Sequence, residues 1–134
     1  MHFDLVDRVL EISPERIVTL KQVSAAEEYL QDHFATFPVL PGVMMLEAMV
    51  QAGRRLLESR GLGAERPLVL GKVRALKYGK FVKPGAALRV EVSLHKQLDG
   101  GEYELKGEGT VIEPGASAEA ATAVSGRFVL RPAR

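Results

Sequence analysis

The chain has no cysteine and no tryptophan among its 134 residues, and only 3 histidines. Without cysteine there is no disulfide, no thiolate nucleophile and no sulfur-ligated metal site. His2, His33 and His95 show no metal-ligand spacing, so no metal is expected. Neither sign of charge dominates, since 18 Lys and Arg against 17 Asp and Glu leave a net +1. That balance argues against a nucleic-acid or membrane-surface role. No segment approaches the run of ~18 apolar residues that a spanning helix needs. The opening M-H-F-D-L-V-D-R lacks the basic and apolar regions of a signal peptide. These absences read as a cytoplasmic protein with no membrane insertion. The G-x-S-x-G elbow and the glycine-rich phosphate loop are missing too, so serine-hydrolase and nucleotide readings have no support.

What is present describes one domain, residues 1–134, long enough to bury a core, with 46% hydrophobic residues. Residues 5–12 and 16–23 are short apolar-rich segments split by the turn-like Ser13-Pro14-Glu15. Ser24 can cap a short helix ending near Gln31, with Glu27 three residues on. After residue 67 the period changes to that of strands, at 68–78, 88–98, 103–113 and 118–130. In the second of these Leu88, Val90, Val92, Leu94 and Leu98 alternate with polar residues. Asp99-Gly100-Gly101 predicts a tight hairpin, and Glu113-Pro114-Gly115 a second turn. Most of the sheet is therefore expected to be an antiparallel meander.

The chain is organised around Asp32 to Gln51. Pro38 and Pro41 keep residues 33 to 40 extended or turning, and Pro41 suits the first position of a helix. That helix is predicted from Gly42 to about Ser59, with Gly61 and Gly63 as stop signals. Its first turns, Val43, Met44, Met45, Leu46, Ala48, Met49 and Val50, have no ordinary polar face, so burial is expected. One carboxylate, Glu47, interrupts the run, with Gln51 four residues on along the same face. A lone charged acid in such surroundings costs several kcal/mol unless it has a partner or a task. His33 is the histidine nearest to it in sequence. Composition and periodicity give an α+β fold, one long helix buried in the concave face of a five- to six-stranded antiparallel sheet.

The pattern H-F-x-x-x-P-V-x-P-G-V-x-x-x-E-A-x-x-Q at residues 33–51 resembles the signature of the FabZ-type 3-hydroxyacyl-[acyl-carrier-protein] dehydratases. L-V-D-R-V-L-E-I at 5–12 and R-I-V-T-L-K at 16–21 look like that family's opening strands, and K-F-V-K-P-G at 80–85 like a later segment. Ala35-Thr36 stand where the family usually has Pro-Gly. The resemblance implies a hotdog fold, with the helix as its central element. It also implies dehydration of (3R)-3-hydroxyacyl carrier-protein thioesters to trans-2-enoyl thioesters without a cofactor. His33 matches the catalytic histidine and Glu47 the catalytic glutamate. On this reading His33 takes the C2 proton as base. Glu47, its carboxyl kept protonated by desolvation, donates to the departing 3-hydroxyl. Backbone N–H groups at Gly42 and Val43 face the thioester oxygen at the positive end of the helix dipole. Gly42 also lets a substrate approach the backbone closely. The spacing of Gln51 suits it to orient Glu47.

The family further implies a homodimer whose sites are shared, His33 of one subunit facing Glu47 of its mate, and allows a hexamer built as a trimer of dimers. The partner is an acyl carrier protein, for which Arg54, Arg55, Arg74, Lys77, Lys80 and Lys83 are candidate docking residues. Two other functions compete. One is a non-catalytic hotdog subunit that binds the carrier protein or acyl chains; the other is a hotdog acyl thioesterase. Retention of both His33 and Glu47 favours the dehydratase.

Overall fold

A computed structural model describes residues 4–24, 39–113 and 121–134. Within them lie strands β1 (Arg8–Ile12) and β2 (Arg16–Gln22), helix α1 (Gly42–Ser59), and strands β3 (Leu68–Tyr78), β4 (Ala87–Gln97), β5 (Tyr103–Ile112) and β6 (Ala121–Pro132). The expected short helix after Ser24, the loop carrying His33 and Pro38, and the turn at Pro114-Gly115 lie outside the described residues. So do His2 and the first residues of the strand expected from 118.

All six strands join one antiparallel sheet in the order β1-β2-β4-β5-β6-β3. The meander holds for β4, β5 and β6, but not for β3, which pairs with β6 at the far edge rather than with β4. The stretch through Pro84-Gly85 is therefore a crossover from one side of the sheet to the other. Local pattern identifies a strand; which neighbour it takes is decided by how the sheet closes around the helix.

Helix α1 lies against β2, β3, β4, β5 and β6, so the sheet wraps it on most sides. Met45, Ala48, Met49, Ala52, Leu56 and Leu57 form the buried stripe of the helix. They meet Ile17, Leu88, Val90, Val92, Leu105, Val124, Phe128 and Leu130 from the strands. The contact is close enough to demand glycine on both sides. A Cβ at Gly53 would lie 3.0 Å from the Phe128 ring, and one at Gly107 would lie 2.7 Å from Met49 Sδ.

The reading of the end of β4 needs correction. Strand β4 ends at Gln97, and its register against β5 shifts between Leu94 and Lys96. The irregularity breaks the alternation read from sequence, and Leu98 is only half-buried. Asp99–Gly101 do make the turn, as a short 3-10 segment with Gly100 and Gly101 at φ +77°.

Strand β3 is irregular as well. Its pairing with β6 slips between Arg74 and Lys77, and Ala75 sits there at φ +54°. A side chain in that left-handed region is strained. Ala75→Gly is expected to stabilise the fold by about 0.5–1 kcal/mol, the relief of strain outweighing the added freedom of the unfolded chain. Urea unfolding checks this, and a destabilised variant would contradict it.

Arg16 on β2 ties the other end of the sheet. Its Nε donates to Glu91 Oε1 at 2.6 Å and its Nη1 to Glu11 Oε2 at 2.8 Å. The hydrogen bond from Arg16 holds the Glu91 carboxyl below the usual carboxylate range.

Candidate active site

Helix α1 begins and ends where the sequence places it, from Gly42 to Ser59. Pro41, however, is the residue before the helix rather than its first residue, with extended dihedrals (φ −60°, ψ 145°). Its carbonyl accepts from the Met44 and Met45 N–H groups at 2.9 and 3.2 Å. The N–H groups of Gly42 and Val43 precede any intrahelical acceptor and are aimed out of the helix start.

The first turns are not buried all round. Val43 is 63% exposed, and Met44 and Leu46 are half-buried. The sheet covers one side of this part of the helix and leaves another bare. Val43, Glu47, Gln51 and Arg55 recur at four-residue spacing, so they share one face of α1. That face passes from exposed Val43 through half-buried Glu47 and Gln51 to exposed Arg55. Glu47 is thus less buried than its apolar neighbours suggest.

Gln51 connects this face to the N-terminal segment. Its Oε1 accepts from the Leu5 backbone N–H at 2.7 Å, while its Nε2 donates to Glu47 Oε1 at 3.2 Å. Asp4 stands 3.9 Å from Arg55, so residues 4–6 lie over the later part of the face. Leu5 is itself 1% exposed and anchors the segment in the core. The amide of Gln51 is thereby oriented from behind, and one oxygen of Glu47 is held in place. The spacing of Gln51 from Glu47 is legible in the sequence; the Leu5 N–H at its other end is not, because that contact spans 46 residues.

Gly42 is placed differently from Val43. Five residues separate it from Glu47, about 140° around the helix, so the two side-chain directions diverge. A Cβ at Gly42 would lie 3.0 Å from the Tyr78 ring. The open space expected beside Gly42 is therefore occupied by Tyr78. That ring, with Val39, Leu40, Met45, Gly79 and Phe81, lines a largely apolar cavity of about 210 Å³. Burial pushes the Tyr78 phenol above its ordinary range, which favours its neutral form. Tyr78 and Phe81 are nevertheless 51% and 54% exposed, and with Val43 they make an apolar patch around the helix start. Neither aromatic stands out in sequence, since both follow from the path of the crossover after β3.

His33 lies outside the described residues, so its distance from Glu47 is not fixed. His95 is exposed at the β4 irregularity, on a different part of the sheet. The candidate docking cations are mostly engaged within the chain. Arg54 Nε donates to the Leu68 carbonyl at 3.0 Å, Arg55 faces Asp4, Arg74 pairs with Glu104, and Lys80 lies 3.1 Å from Glu113. No described helix is long and apolar enough to cross a membrane.

A family model described as FabA-like domain matches residues 1–116. A 3-hydroxyacyl-[acyl-carrier-protein] dehydratase FabZ of Oenococcus oeni is 42% identical over 96 residues, which are 71% of this chain and 69% of that protein. The protein of the same name from Protochlamydia amoebophila is 41% identical over 105 residues, 76% of this chain and 68% of that one. Among solved structures, the dehydratase heterocomplex ApeI:P from Xenorhabdus doucetiae is similar with a TM-score of 0.73. It covers 98% of this chain and 84% of that one at 18% identity.

Proposed function

The chain belongs to the FabA-like domain family and has its hotdog architecture, and on that premise we propose that it is a 3-hydroxyacyl-[acyl-carrier-protein] dehydratase. It removes water from a (3R)-3-hydroxyacyl thioester and leaves a trans-2-enoyl thioester. The observation that carries the assignment of chemistry to this helix is the chain of contacts from the Leu5 N–H through Gln51 to Glu47. It fixes a carboxyl on a face of α1 that the described strands leave open.

In this reaction the C2–H bond breaks toward His33 and the C3–O bond breaks toward Glu47. The electron pair from C2 closes the C2–C3 double bond as the hydroxyl leaves with the carboxyl proton as water. Charge that accumulates on the thioester oxygen during proton removal meets the N–H groups of Gly42 and Val43 at the start of α1. His33 returns its proton through solvent to Glu47, which restores both groups. The step is neutral in electrons and balances without a cofactor.

The exposed apolar patch of Val43, Tyr78 and Phe81 supports a homodimer in which a second copy covers the helix start. In that arrangement His33 of the mate completes the site beside Glu47. A trimer of such dimers is compatible with the same contacts. The carrier protein presents the acyl chain at this seam.

The proposal is tested by offering the purified protein 3-hydroxyacyl chains on a carrier protein and identifying the product. Enoyl thioester is the expected product. Free acid and free thiol would instead mean a thioesterase, and carrier binding without turnover would mean a binding subunit.

Gln51 is the positioning residue in this account. Gln51→Ala is expected to lower kcat about tenfold with KM within about twofold, because the acid loses its orientation and not its substrate contacts. Equal losses in kcat and in folding stability, with a raised KM, would reduce Gln51 to a structural role.

A further inference from the structure

The outer face of the sheet, on the side away from α1, holds an arrangement that the dehydratase chemistry does not use. Arg74 on β3 stands directly opposite Arg127 on β6, and Arg127 stands directly opposite Lys106 on β5. Like charges directly across strands are destabilising, and here the mismatch occurs twice in one row. Arg74 is neutralised by Glu104, but Lys106 and Arg127 have no carboxylate in ion-pair reach among the described residues.

Beside this row lies a cavity of about 390 Å³. Its wall carries six cationic side chains, Lys72, Arg74, Lys96, Arg127, Arg131 and Arg134, against the carboxylates of Glu102 and Glu104. Glu104 is only 2% exposed. Its Oε2 accepts no hydrogen bond, and the nearest basic nitrogens, His95 Nε2 and Lys96 Nζ, are 3.8 and 3.9 Å away. Arg127 lines this cleft between two other cations with no carboxylate partner among the described residues, and an anion seated there can supply that charge.

We propose that this cleft binds a phosphate-bearing small molecule, its phosphate oxygens on Arg127 and its cationic neighbours. Phosphate matches the forked guanidinium donors of Arg127 and Arg131 better than a monovalent anion does. A ligand of this kind brings the negative charge that Arg127 lacks. The site lies on the opposite side of the sheet from Glu47, so occupancy and dehydration are separable.

Thermal unfolding of the whole oligomeric protein is measured with sulfate, inorganic phosphate, pyrophosphate and ADP at matched ionic strength. Wild type, Arg127→Gln, Lys106→Gln and Glu47→Gln are compared. A saturable rise in Tm with pyrophosphate or ADP is expected in wild type and Glu47→Gln, with sulfate weaker because it carries less negative charge. The rise should be lost in Arg127→Gln and reduced in Lys106→Gln. A larger rise with ADP than with pyrophosphate identifies a nucleotide, and equal rises identify the phosphate groups alone. Without ligand, Arg127→Gln should raise Tm by about 2 °C, because a like-charge pair is removed. No saturable rise, or the same rise in all four proteins, overturns the proposal. Loss of carrier-protein binding in Arg127→Gln, with no response to any of the four anions, also overturns it in favour of a protein-docking surface.

Discussion

Glu47→Gln is expected to lower enoyl-thioester formation by roughly 10²–10⁴-fold, the usual contribution of a positioned general acid. The substitution keeps the side-chain shape and an oxygen that accepts from Gln51, which donates at 3.2 Å to Glu47 Oε1. What it removes is the proton for the departing hydroxyl. Stability is expected to change by less than about 1 kcal/mol, because the residue is half-buried and its neighbour stays paired. Size-exclusion chromatography of the variant should match wild type, which separates a chemical loss from an assembly loss. Turnover within tenfold of wild type would remove Glu47 from the mechanism.

The second large effect concerns folding. Phe128→Ala is expected to destabilise the protein by about 3–5 kcal/mol, measured by urea unfolding. Phe128 is 1% exposed on β6, and its ring fills the space left by two glycines, Gly53 on the helix and Gly107 on β5. With no side chain on either of those residues, the site can collapse only by moving the helix toward the sheet. A cost below about 1 kcal/mol would mean that the backbone closes the cavity readily.

The parts of this fold that are written locally were legible in the sequence. Helix α1 starts after a proline and ends before glycines, and its limits match the reading from Gly42 to Ser59. Strand β4 carries clear alternation up to its irregularity after Leu94, and the turn that follows carries the two glycines it needs at positive φ. Membership of the FabA-like family was legible too, because the motif around Glu47 is short, dense and specific.

What was not legible depends on contacts distant in the chain. The place of β3 beside β6 rather than β4 follows from closure of the sheet around α1, and no local pattern reports it. The half-exposed state of Glu47 follows from which side of the helix the sheet leaves bare. Tyr78 ends β3 and meets Gly42 at the helix start, a contact between positions far apart in the chain. Glu104 looks like an ordinary solvated residue of an alternating strand, yet Arg74 from β3 and the β4 irregularity bury it. Arg127 reads as one exposed cation until the register sets it between Arg74 and Lys106.

The central claim is that an acid on α1 and a base in the preceding loop together remove water from a 3-hydroxyacyl thioester. Its most direct test measures enoyl formation on carrier-protein substrates of short and medium chain length. Wild type, His33→Ala and Glu47→Gln are assayed side by side, each first confirmed in the native oligomer. The account predicts turnover by wild type and a collapse of roughly 10²-fold or more in both variants. Absence of enoyl product from wild type at every chain length, with the carrier protein still bound, would contradict it.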